Sequence, residues 1–153
     1  MKKKNLIIVG KKSFIGSNIH RFLKKRKKVL ILSLKEFFLL SNKEIAEYDY
    51  VCNCTVNKNN VKKNYKSNLD YDLKIAKKIK NVNINFIFLS SRKVYKPSPF
   101  LNEFSKLKPI DKDAQNKIKT ENKLRKIFKS KLLILRISNV IGLKTKKKFK
   151  KCS

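Results

Sequence analysis

The sequence predicts an α/β fold on a doubly wound parallel sheet, and three observations carry that prediction. Five short, continuous apolar runs rich in branched residues are spaced along the chain, as strands covered on both faces would be. Lysine-rich segments with helical spacing lie between them, and strand–helix alternation implies right-handed crossovers that lay helices on the sheet. Glycine occurs only three times in 153 residues, and two of the three, Gly10 and Gly16, flank the junction between the first run and the first helical segment.

In chain order the strand-like runs are NLIIV (Asn5 to Val9), VLILS (Val29 to Ser33), YVCNC (Tyr50 to Cys54), FIFLS (Phe86 to Ser90) and LLILRI (Leu132 to Ile137). FIGSNIHRFLKK puts Phe14, Ile15, Ile19, Phe22 and Leu23 on one helical face, and NLDYDLKIAKKIK does so with Leu69, Leu73, Ala76 and Ile79. NKIKTENKLRKIF repeats the pattern through Ile118, Leu124, Ile127 and Phe128. Pro97, Pro99 and Pro109 fall within KPSPFLNEFSKLKPI, which reads as an irregular surface loop before the last long helix. There is no internal repeat. The ending KTKKKFKKCS has no apolar period, so the domain is expected over 1–143 and a basic, disordered tail over 144–153.

An apolar fraction of 41% suits a single globular domain, and no stretch approaches the roughly 20 uninterrupted apolar residues a membrane span needs. MKKKN runs directly into LIIV without a signal-like segment, so the expected location is the cytoplasm, with no membrane partner. Cys52, Cys54 and Cys152 have no second cluster or nearby histidine to complete a zinc site; free thiols are expected, and no metal. The lone His20 reads as a helix-surface residue. A net charge of +31 would attract polyanions through counterion release. The lysines, however, run evenly from Lys2 to Lys151 and arginine is scarce, which fits solvated surface better than a built groove, so no specific nucleic acid is expected.

The two clustered glycines point to chemistry. A glycine directly after a buried strand allows a tight turn, and one six residues on lets the helix pack close to the sheet with its N-terminus facing a pyrophosphate. The intermediate glycine of the full dinucleotide pattern is replaced by Ser13. The context of strand before and helix after strengthens the match.

VGKKSFIGSNI, DYVCNCTVN, FIFLSSRKVY, NKIKTEN and LRISNVIG occur in the order and spacing of the extended short-chain dehydrogenases, and from Leu6 to Gly142 the chain resembles that group of NAD-dependent epimerases, dehydratases and reductases acting on nucleotide-linked sugars. The resemblance implies a Rossmann-type NAD(P)-binding domain, sheet order 3-2-1-4-5, with NAD or NADP at the C-terminal strand edges and a nucleotide sugar as substrate. It makes Gly10, Ser13, Phe14, Ile15 and Gly16 the phosphate-binding turn, and lays Cys54 and Thr55 along the cofactor. Ser91 takes the place of the residue that hydrogen-bonds the reacting substrate oxygen, Lys117 that of the lysine on the nicotinamide ribose, and Asn139 that of a substrate-side asparagine. A second copy of the chain is a candidate partner.

Three departures qualify this. One turn before Lys117, where the group carries its catalytic tyrosine, stands Asp113. An aspartate titrates near 3.9, lower still beside a lysine, and makes a poor acid at neutral pH. A plain Asp113–Lys117 ion pair on the helix face, worth a few tenths of a kcal/mol, is the expectation. The position that selects NAD through a ribose-binding carboxylate is Ser33, with Lys35 nearby, which leaves NAD and NADP both open. The chain also stops soon after Gly142, as though the C-terminal substrate domain were missing. Beside an epimerase-, dehydratase- or reductase-like enzyme, two other readings therefore stand: a truncated dinucleotide-binding relic without activity, and a basic nucleic-acid-binding module.

Overall fold

The computed structural model describes residues 4–25, 28–57, 59 and 64–141; the predicted tail, with Cys152, lies outside them. Five parallel strands form one sheet: β1 Leu6–Val9, β2 Val29–Leu32, β3 Tyr50–Asn53, β4 Asn85–Ser91 and β5 Leu132–Ile137. Five α-helices connect them: α1 Phe14–Leu23, α2 Leu34–Leu39, α3 Asn42–Ala46, α4 Tyr71–Ile79 and α5 Lys112–Phe128. The predicted fold class and all five strand positions hold.

The strand order does not. It is β2-β1-β3-β4-β5, so Tyr50–Asn53 pairs with β1 instead of lying beyond β2 as 3-2-1-4-5 requires. The physical reason is local. After β2 the chain enters two short helices, each opened by a reciprocal cap: Ser33 and Ser41 accept from the N–H of Glu36 and Glu44, whose carboxylates reach back to the serine N–H groups at 2.7 Å. These two turns return the chain to the other side of β1, leave β2 as a half-buried edge, and place the reversal of strand order between β1 and β3. Ligands of open α/β sheets bind in the crevice at such a reversal.

The two faces of the sheet are covered unequally. On one, Ile7, Val9, Val51, Phe86 and Phe88 pack with Leu73, Ala76 and Ile79 of α4, Leu124 and Phe128 of α5, and Phe37 and Ile45 of α2 and α3. Each fully buried Val, Leu, Ile or Phe among them contributes about 1.5–3 kcal/mol. On the other, Ile8, Cys52 and Cys54 meet Ile15 and Ile19 of α1, with Ile87 and Leu89 half-buried. Strands buried on both faces were expected; β4 instead alternates and β5 exposes Leu133 and Leu135, because α1 covers only the β2-β1-β3 part of that face. Phe22, predicted on the inner face of α1, is 65% exposed near its end. The proline-bearing segment is irregular as expected, apart from a bridge between Tyr95 and Leu107. Among the described residues no helix is long and apolar enough to cross a membrane.

Candidate functional site

The turn from β1 into α1 explains both glycines. Gly10 adopts φ +137°, a conformation side chains rarely tolerate, and donates to the Leu32 carbonyl. A Cβ on Gly16 would sit 2.7 Å from the Gly10 carbonyl oxygen and 3.3 Å from the Cys54 Cβ, so the helix reaches the sheet only because that atom is absent. Ser13 caps α1, its Oγ accepting from the Gly16 N–H at 3.3 Å. The N–H groups of Phe14 and Ile15, at the same helix start, have no partner among the described residues. Donors of this kind, with the helix dipole behind them, suit an anion.

From this turn a cleft of about 240 Å³ runs along the C-terminal ends of β3, β4 and β5. It draws together Ile15, Cys54, Thr55, Ser91, Asp113 and Lys117, six of the predicted site residues. Lys117 donates from Nζ to the Leu89 carbonyl at 2.9 Å and lies over the Phe88 ring. The predicted Asp113–Lys117 ion pair is not formed: among the described residues no ion pair joins them within 4.0 Å, because Lys117 turns to the end of β4 while Asp113 lines the cleft. Ser91 accepts from the Lys93 N–H, so its hydroxyl hydrogen stays available. Asn139 is exposed and does not line the cleft, although Ser138 and Val140 on either side of it do. Ser33 also stays outside; its hydroxyl belongs to the α2 cap. The carboxylate that follows, Glu36 in the first turn of α2, belongs to the same cap: it is held below the usual carboxylate range by the Ser33 N–H and hydroxyl, and lies 3.4 Å from Lys11. Lys35 is exposed.

Several polar groups that the sequence did not single out complete the region. Asp72, in the first turn of α4, is buried and accepts from Asn53 Nδ2 at 2.9 Å; Asn53 in turn accepts from the Thr55 N–H and Oγ1–H. Burial pushes the Asp72 carboxyl up to about 7 against the opposing pull of Lys117. Tyr65, in an adjoining pocket, donates to Asp70 and is pushed up to about 12 by burial, the wrong direction for a neutral-pH acid. Glu121 accepts from Ser90 and from Arg136 Nε at 3.2 Å and Nη2 at 2.6 Å, and Arg136 also donates to Tyr95, tying α5 to β4 and β5. For that cluster the sequence offered at most the single charge of Arg136 within an apolar strand; Glu121 stands among the lysines of its helix. Cys52 and Cys54 are free and buried, with sulfurs 3.8 Å apart.

A parallel sheet reversing at a glycine-bearing strand–helix turn defines a nucleotide-binding type of α/β domain. The chain belongs to the NAD dependent epimerase/dehydratase family, whose sequence profile matches residues 6–152. No curated protein matches it significantly by sequence. Among solved structures it is similar to a UDP-N-acetylglucosamine 4-epimerase from Methanobrevibacter ruminantium in complex with UDP-N-acetylmuramic acid, with 26% identity, a TM-score of 0.65, and coverage of 89% of this chain and 55% of that one. It also resembles a UDP-glucuronic acid 4-epimerase from Bacillus cereus in complex with NAD (16%, TM-score 0.66, 90% and 57%). A dTDP-4-dehydrorhamnose reductase from Bacillus anthracis in complex with NADP is comparable (16%, TM-score 0.68, 90% and 54%). The chain thus spans just over half the length of these structures.

Proposed function

We propose that this chain is the dinucleotide-binding portion of an NAD(P)-dependent epimerase, dehydratase or reductase of nucleotide-sugar metabolism. The observation that carries the reading is the continuity of the α1 start with a cleft into which Cys54, Thr55, Ser91 and Lys117 converge from separate elements. A dinucleotide laid along it would place its diphosphate at the N–H groups of Phe14 and Ile15 and its reactive ring between Ser91 and Lys117. Bound there, the cofactor supplies hydride transfer; the chain supplies binding, orientation and proton handling. The reading carries a cytoplasmic location, and a homodimer that light scattering would detect.

Fluorescence titration with NADH and NADPH at about 0.2 M salt, where non-specific attraction to the lysines is screened, tests it. Saturable binding of either nucleotide, weakened in Lys117→Met, is the expected result. Retention of neither nucleotide at millimolar supply would sink the reading. One observation favours a second reading, cofactor binding without chemistry: among the described residues no tyrosine lines the cleft.

A further inference from the structure

We propose that Asp72 is the acid–base group of the cleft, taking the proton of a substrate hydroxyl as its carbon is oxidised and returning it on reduction. The assignment rests on the dinucleotide reading above and supplies what that reading lacks, since Asp113 occupies the tyrosine position.

Four observations support it. Asp72 is 8% exposed yet lines the same cleft as Ser91, Lys117 and Asp113, so it is shielded from bulk water and open to a ligand. Its Oδ1 is held by Asn53 Nδ2, a neutral donor, and no other side chain among the described residues hydrogen-bonds its second oxygen. Among the described residues no cation forms an ion pair with it within 4.0 Å. The influences on it pull in opposite directions: burial and Asp70 at the start of α4 oppose the carboxylate, while Lys117 on α5, the Asn53 amide and the Asp72 backbone N–H favour it. Asp113 also faces the cleft from α5. The balance brings Asp72 to about 7, where a group both gives and takes protons at working pH.

The step balances. The substrate O–H bond breaks with its proton going to the Asp72 carboxylate, the C–H electron pair leaves as hydride for the oxidised nicotinamide ring, and the carbon–oxygen double bond forms. Reversal uses the reduced cofactor and the protonated acid. Asn53 keeps the carboxyl oriented in either state, because its amide also bonds the neutral form.

The experiment uses the full chain. Carboxyl carbon NMR of the cofactor-free protein, with the Asp72 signal identified by its loss in Asp72→Asn, should show a midpoint near 7; a midpoint near 4 overturns the proposal whatever the chain binds. In parallel, NAD reduction is followed with UDP-N-acetylglucosamine as the probe substrate. Asp72→Asn, nearly isosteric, should bind NADH as the parent does and lose about a hundredfold or more of the transfer rate. Transfer unchanged in Asp72→Asn, or a parent chain that binds NADH but transfers nothing, overturns the assignment and leaves the cofactor reading standing. Failure of the parent to bind NADH overturns both.

Discussion

Glu121 and Asp72 are both buried carboxylates on helices packed against the same sheet, and they are held in opposite ways. Glu121, 1% exposed, is bonded at both oxygens by Arg136 and at one by Ser90, so its charge is matched and fixed. Asp72 has a single neutral side-chain partner and an open cleft beside it. The first arrangement ties α5 to β4 and β5; the second leaves a proton free to move. Complete pairing marks a carboxylate that serves the fold, and incomplete pairing at a cavity marks one available for chemistry.

The largest expected effect breaks the paired side. Arg136→Met strands the Glu121 charge inside and should cost about 3–5 kcal/mol in urea unfolding, whereas Arg136→Met combined with Glu121→Leu should recover most of that loss. A single variant as stable as the parent would show that Glu121 is not held as described.

The contrast sharpens with pH. The folded chain keeps the Asp72 proton up to about pH 7, while the unfolded chain releases it near 4, so the folded state binds more protons between those values. Asp72 therefore contributes stability below about pH 4 that is lost as pH rises through about 7, on the order of 4 kcal/mol at most. Asp72→Asn should flatten this part of the stability profile, which denaturant melts at a series of pH values would reveal.

Smaller effects are expected at the turn and at the caps. Gly16→Ala forces a Cβ against the Gly10 carbonyl, and a loss of about 1–3 kcal/mol together with weaker NADH binding is predicted from thermal melts and titration. Ser33→Ala removes the α2 cap and should cost about 1 kcal/mol while leaving NADH affinity unchanged, since its hydroxyl already serves the helix. A marked fall in affinity would return Ser33 to the binding site.

Much of the fold was legible because the signals are local. Continuous apolar runs marked the strands, and the spacing of Leu73, Ala76, Ile79, Leu124 and Phe128 marked the faces that α4 and α5 bury. The two short helices after β2 escaped the reading although Ser33/Glu36 and Ser41/Glu44 carry the capping pattern, and with them went the strand order. In the site, the glycine turn was readable from its spacing, and the six residues gathered in the cleft from the resemblance to the extended short-chain dehydrogenases. Asp72, Asn53, Glu121 and Arg136 were not, because a carboxylate in a lysine-rich helix looks like any surface charge until its burial is known.

By itself the sequence determined the element types, the parallel α/β class and the glycine turn, all of which follow from periodicity and steric need within a few neighbouring residues. Only the tertiary structure decided that Tyr50–Asn53 pairs with β1, that Lys117 turns from Asp113 to the Leu89 carbonyl, and that one buried carboxylate is neutralised while another is not. Those outcomes depend on which groups, distant in sequence, share a desolvated volume, and local sequence pattern does not encode that proximity.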